Sequence, residues 1–312
     1  MHQLAGPPVG HFNQCTEIFA CLPLPLYTSC ALRLRVATFI LRPFHRIEGR
    51  PTAMFAREST LLTTSGQVHP TIEVIEQNHI RYLRFGHNGG WQGARSITYP
   101  DEIIFPYQRA FASLTKSLPS VDRFLSIGVG IGTALRTVLR DHQECDMYGV
   151  EIDETVVNVA IEYFDSPSHR DVNYWIGDGV TFLAKVELTF DLIFVDAYMR
   201  NQIYSACLEP AFATVLYEGL SDNGLAACNI ISSTPPVGQV QTFLDAAQDI
   251  FAEVLLLPVG VPFAEQNTLA VLSKRAGIAQ DWIQQIRSNA ELSWLQRVSW
   301  PNRLSEYGGK RE

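Results

Sequence analysis

The chain has 312 residues, 46% of them hydrophobic and 18% charged, with a formal net charge of −8. This composition excludes a disordered polypeptide and allows one large domain or a domain with an appendage. The acidic balance argues against a general nucleic-acid binder, which needs a basic face, and no stretch reads as a membrane span.

Residues 1–53 read as a poorly structured leader. Their apolar part is broken by Pro23, Pro25, Arg33 and Arg35, and no basic segment precedes it as a signal peptide requires. A small antiparallel β domain is expected over residues 54–99. "TIEVIEQ" and "HIRYLRFG" alternate apolar and polar residues, with Asn78-His79 as the turn between them. "FGHNGGWQG" follows as a loop. A helix is then predicted over "PDEIIFPYQRAFASLTKSL", starting at Pro100 and Asp101, with Ile104, Tyr107, Phe111 and Leu114 at helical spacing. Pro106 falls inside it and predicts a break or a kink.

From Val121 a strand–turn–helix rhythm repeats through "RFLSIG", "DMYGVEI", "VNYWIG", "FDLIFVDA" and "GLAACNII". Such alternation predicts a doubly wound, mostly parallel α/β sheet over residues 100–312. "EVLLLPV" and "NTLAVLSK" supply further strands. "NAELSWLQRVSW" predicts a C-terminal helix, with Trp282, Trp294 and Trp300 packed on the sheet, and the tail "SEYGGKRE" reads as disordered. None of the six cysteines forms a CxxC pair and no histidine cluster has ligand spacing, so no metal is expected. Cys145, Cys207 and Cys228 are expected as buried free thiols, in a reducing, cytoplasmic setting.

Ligands of such sheets bind at the carboxyl ends of the strands. Four successive strand ends carry suggestive groups. "SIGVGIGT" places Gly128, Gly130 and Gly132 where backbone can approach a ligand and enter a helix N-terminus. Glu151 in "GVEID", 19 residues past Gly132, can accept the hydroxyl protons of a ribose. Asp178 in "IGDGV", ahead of Gly179, can accept from an adenine amine or cap a helix. Asp196 ends the apolar run "FDLIFVD". Thr133 stands where GxGxxG needs its third glycine. The set therefore fits an adenosyl sulfonium better than a dinucleotide.

These segments, with "WQGARSITYPDEIIFPYQRAF", resemble the polyamine aminopropyltransferases, the spermidine and spermine synthases, over roughly Thr71–Lys274. The resemblance implies a methyltransferase-like Rossmann domain with a gate helix at its start, preceded by a small β domain. It implies decarboxylated S-adenosylmethionine or S-adenosylmethionine as co-substrate, a small-molecule amine as acceptor and a homodimer. It places the catalytic aspartate at Asp196. Cofactor binding falls to Gly128, Gly130, Gly132, Glu151, Asp153, Asp178 and Gly179, and amine binding to Gln92, Tyr107, Gln108 and Tyr198. Two family acids are replaced, one by Ile131 in the glycine loop and one by Met199 of the fourth-strand DxxD, with Arg200 beside it. Glu209 and Glu265 are acids that could substitute. Two alternatives follow from these departures: an S-adenosylmethionine-dependent methyltransferase on the same scaffold, and a non-catalytic paralogue that binds a nucleoside.

Overall fold

The computed structural model describes residues 58–87, 89–199, 202–260 and 266–308. The expected leader at 1–53, Arg200 and Glu265 lie outside the described residues. Phe55–Glu312 forms one compact unit.

Four strands, β1 (Ser59–Thr64), β2 (Ile72–Gln77), β3 (Ile80–Phe85) and β4 (Trp91–Ser96), form an antiparallel sheet in that order. Gln77 pairs with Ile80, so Asn78 and His79 make a two-residue hairpin loop, both at positive φ (55° and 62°). That is the backbone of a type I′ turn, whose twist matches the flanking strands.

The larger sheet has eight strands: β5 (Arg123–Ile127), β6 (Asp146–Glu151), β7 (Asn173–Ile176), β8 (Phe190–Val195), β11 (Leu220–Ser232), β12 (Glu253–Pro258), β13 (Gln266–Ser273) and β14 (Ser305–Glu306). A separate two-stranded ribbon, β9 (Tyr198–Met199) with β10 (Gln202–Ile203), follows β8. The spatial order is β14-β12-β13-β11-β8-β5-β6-β7. The pairs β11–β8, β8–β5, β5–β6 and β6–β7 are parallel, while β13 runs antiparallel to both neighbours. Strand order therefore reverses between β5 and β8, which opens a crevice at their carboxyl ends. This is the doubly wound, mostly parallel α/β sheet that the strand rhythm predicts, and the methyltransferase-like Rossmann architecture that the resemblance implies.

The helices are α1 (Pro106–Thr115), α2 (Thr133–Asp141), α3 (Glu154–Phe164), α4 (Gly179–Lys185), α5 (Pro210–Gly219), α6 (Gly238–Ile250), α7 (Ile278–Ser288) and α8 (Trp294–Arg303). They cover two large apolar clusters, one on each face of the eight-stranded sheet.

Three local expectations are corrected. The helix predicted from Pro100 begins at Pro106, so of the break or kink expected there it is the break, with Pro106 as the first helical residue. Proline lacks the N–H that a first-turn residue does not need, and it drives Phe105 into extended backbone. Trp282 and Trp300 are buried, but Trp294 is 70% exposed. Ser305–Glu306 is ordered, pairing with Leu256 and Leu255 of β12. The three cysteines Cys145, Cys207 and Cys228 are free and buried, as expected.

The small sheet is fastened to the larger unit from two directions. Ile72, Val74 and Leu83 pack with Ile131, Val156, Val159 and Phe164 in a third apolar cluster. Arg81 donates to the Tyr163 carbonyl at 2.5 Å, while Arg95 and Arg136 donate to the Phe164 carbonyl at 2.6 and 2.8 Å. These guanidinium groups meet the unpaired carbonyls at the end of α3, where the helix dipole favours positive charge. Ion pairs with Asp165 and Glu76 complete the arrangement.

Candidate active site

The site is built where the strand order reverses. Gly128 follows β5 at φ +86°, and a Cβ placed there would lie 2.3 Å from the Asp196 carbonyl oxygen. Only glycine allows the two strand ends to approach so closely. The ends are tied together, since Asp196 N–H donates to Ile127 O at 2.8 Å and Gly128 N–H to Val150 O at 2.9 Å.

A cavity of about 390 Å³ opens here, within the size range of a small-molecule site. Its floor comes from Gly128, Gly130, Glu151, Asp178, Gly179 and Asp196. The small sheet adds His69, Phe85, Trp91 and Gln92, and α1 adds Tyr107. Tyr198, Asn229 and Asn267 close the other end. Among the described lining residues Glu151, Asp178 and Asp196 are the carboxylates, and none is Lys or Arg. This distribution suits a cationic ligand.

Glu151 is 8% exposed, and its carboxylate accepts from Val129 N–H at 3.0 Å, Gly130 N–H at 3.4 Å and Ile152 N–H at 2.9 Å. Burial pushes its pKa up, and these backbone donors oppose the shift. The glycine loop and the acid are thus held as one piece. Asp178 caps α4, with Oδ1 accepting from Thr181 N–H at 2.7 Å. Its Oδ2 is buried without a hydrogen-bond partner among the described residues. The capping role accounts for one oxygen, and the Tyr204 hydroxyl stands beside the carboxylate in the same cavity wall, lowering the Asp178 pKa while its own is raised.

Asp196 is held by two donors. Tyr107 Oη donates to Oδ2 at 2.9 Å and Asn229 Nδ2 to Oδ1 at 2.7 Å. Burial raises the carboxyl pKa above the usual aspartate value, and both donors work against that shift. The Tyr107 phenol is itself pushed far up by burial and by the nearby Asp196 charge, so it stays a neutral donor. Gln108 Nε2 stands behind it, 3.3 Å from the phenol oxygen.

Several candidates are placed differently from expectation. Asp153 does not line the cavity. It is fully buried and caps α3, accepting from Thr155 N–H at 3.1 Å and from the loop amides of Val68 and His69 at 2.9 and 3.0 Å. The strand ends at Glu151, and Asp153 serves as the N-cap of α3, held by the loop that joins β1 and β2. Gly132 also lies off the cavity, at φ +73° before α2, where a Cβ would meet Ser166 Oγ at 2.0 Å. Gln108 supports Tyr107 and does not line the cavity. Tyr198 lines the cavity but turns its hydroxyl to the Asn229 carbonyl at 3.2 Å. Ile131 is 2% exposed in the third apolar cluster and is absent from the cavity wall. Sequence reasoning missed His69, Asn229 and Asn267. Asn229 did leave a signal, because it interrupts the apolar run "LAACNII" just as Asp196 ends its own.

Residues 104–277 match the family described as the spermine/spermidine synthase domain. The chain belongs to the spermine/spermidine synthase family. A Bifidobacterium longum protein named "Probable polyamine aminopropyl transferase" is 27% identical over 196 residues, covering 62% of this chain and 43% of that protein. The spermidine synthase of Schizosaccharomyces pombe is 28% identical over 201 residues, covering 62% of this chain and 67% of the relative. The chain thus spans less than half the length of the first of these family relatives. The crystal structure described as "a probable spermidine synthase" from Corynebacterium glutamicum superposes with a TM-score of 0.62 at 16% identity, over 74% of this chain and 88% of the other. That likeness is one of fold.

Proposed function

We propose that this protein is a transferase of polyamine biosynthesis that moves an aminopropyl group from decarboxylated S-adenosylmethionine to an amine. The observation that carries this reading is the doubly held Asp196 carboxylate at the end of β8. It shares one cavity with Glu151 and Asp178, which would bind the ribose and the adenine. A free alkylamine has a pKa of about 10 and is mostly protonated at neutral pH. Asp196 would bind the ammonium and take one of its protons. The nitrogen lone pair then attacks the carbon next to sulfur. The carbon–sulfur bond breaks with its electrons going to sulfur, which leaves neutral methylthioadenosine. No acid is needed for the leaving group, because the sulfonium already carries the charge. Tyr107 and Asn229 each occupy one position on the carboxylate and leave acceptor capacity for the substrate.

Asp196→Asn keeps the shape and removes the base. It is expected to lower kcat by about 10²- to 10⁴-fold with methylthioadenosine affinity unchanged. Full turnover in that variant would remove Asp196 from the reaction.

Methyl transfer from S-adenosylmethionine is the second reading. It is favoured by Ile131, whose burial leaves an apolar side chain where the resemblance expects the acid that holds the donor's amine. The two readings differ in product, methylthioadenosine against S-adenosylhomocysteine.

A further inference from the structure

Asp196 is met by a polar chain that crosses two strands. Asn229 Nδ2 donates to the carboxylate at 2.7 Å, and Asn267 Nδ2 donates to Asn229 Oδ1 at 3.0 Å. Asn229 is 4% exposed and Asn267 half-buried, and both line the cavity. Asn229 pairs with Leu269 across the β11–β13 ladder, so Asn267, two residues along, lies diagonally opposite on the same face. An ionised carboxylate only accepts hydrogen bonds. The amide of Asn229 must therefore turn its nitrogen to Asp196 and its oxygen away. That oxygen is buried and needs a donor, which Asn267 supplies.

We infer that Asn267 is a positioning residue: acting through Asn229, it fixes which side of that amide meets Asp196 and keeps the carboxyl an acceptor for the substrate ammonium. The inference rests on Asp196 being the base. Without Asn267, Asn229 Oδ1 has no donor and the amide is free to rotate. Rotated, it presents oxygen to Asp196, which is tolerated only when Asp196 is protonated. Loss of Asn267 therefore raises the proton affinity of Asp196. The other titratable groups facing Asp196 are Tyr107 of α1 and Tyr198 of β9. Glu151, Asp178, His69 and Tyr204 line the same cavity. All of them are unchanged by the substitution.

The test uses the full chain in two measurements. The first is an infrared or carboxyl-carbon NMR titration of Asp196 without substrates, assigned by difference against Asp196→Asn. Asn267→Leu is expected to move this titration upward by about one pH unit, a tenfold change in proton affinity. Asn267→Gln, which keeps an amide donor, is expected to stay near the parent. Asn267→Ser, a smaller change, is expected to move the titration the same way and serves if the leucine variant does not fold. The second measurement is the acid limb of kcat/KM for the amine, which should follow the titration while the KM for the nucleoside donor holds. In an Asn229→Ala background, Asn267→Leu should add no further shift, because the two act as a unit. An unmoved Asp196 titration would overturn the inference, as would a full effect of Asn267→Leu in the Asn229→Ala background. A titration that moves while the rate profile does not would uphold the Asn267–Asn229–Asp196 relay and overturn Asp196 as the base.

Discussion

Asp153 is fully buried and Asp196 half-buried at the cavity wall, and their environments drive their carboxyls apart. At Asp196 desolvation dominates, and two donors only moderate it. At Asp153 burial also pushes upward, but the amides of His69, Val68, Thr155 and Gln67 outweigh it and hold the pKa below the usual value. A carboxyl saturated by backbone donors is fixed in place and suits structure. One left with spare acceptor capacity and raised basicity suits proton transfer. Asp153→Ala would leave those buried amides unpaired and is expected to cost about 2–4 kcal/mol of stability by chemical denaturation. Because the folded pKa of Asp153 is depressed, its contribution is present above the unfolded value of about 3.9 and is lost as pH falls through the folded one. The stability difference between parent and Asp153→Ala should therefore shrink below about pH 4. Asp153 shows a limit of sequence reading. Spacing placed it next to the ribose acid, but nothing local reveals that its partners lie 84 and 85 residues earlier, in the loop between β1 and β2.

The glycine loop between β5 and α2 sets how closely the strand ends can meet. Its glycines are not equivalent. A Cβ at Gly128 would strike the backbone of Asp196, whereas at Gly130, φ +53°, the nearest atom is the Gln92 carbonyl at 3.9 Å. Gly130→Ala carries only left-handed backbone strain, about 1–2 kcal/mol. Gly128→Ala adds a backbone clash, so its loss of stability should be the larger of the two. It should also weaken methylthioadenosine binding at least tenfold in a titration, since the β5 and β8 ends must separate. Equal effects of the two substitutions would mean that the close approach at Gly128 has no cost. At this scale the sequence was informative. Glycine and acid at consecutive strand ends follow from period and turn chemistry, as does the Asn78-His79 hairpin. The start of α1 was misplaced because helical spacing of Ile104 with Tyr107 extends past Pro106, while proline stereochemistry ends the helix there. Asn229 and Asn267 were out of reach for another reason. Their meaning depends on the antiparallel register of β11 and β13, which no local pattern encodes.

Across the whole molecule, the small sheet and the Rossmann sheet share walls of one cavity, and the seam between them explains the altered glycine loop. Ile131 faces the seam, where a Cβ on Gly93 would lie 2.4 Å from its Cγ2. It packs with Ile72, Val74 and Leu83 of the small sheet. Restoring the expected acid with Ile131→Asp would bury a carboxyl among apolar side chains. A loss of about 3–5 kcal/mol is expected, read as a lower denaturant midpoint. A stable Ile131→Asp protein would show that the seam accommodates a charge. The fold class was legible because five strand–helix alternations leave few topologies. The seam was not, because Ile131 reads as a lost binding residue until the packing around it is seen.

The most direct test of the central claim is product identification with the purified protein. The protein is incubated with a panel of amines and either decarboxylated S-adenosylmethionine or S-adenosylmethionine, and the released thioether is identified by mass. Methylthioadenosine and an aminopropylated amine, formed only from the decarboxylated donor and at least about a hundredfold more slowly by Asp196→Asn, are the expected result. S-adenosylhomocysteine formed from S-adenosylmethionine, with no product from the decarboxylated donor, would contradict aminopropyl transfer and assign the site to methyl transfer.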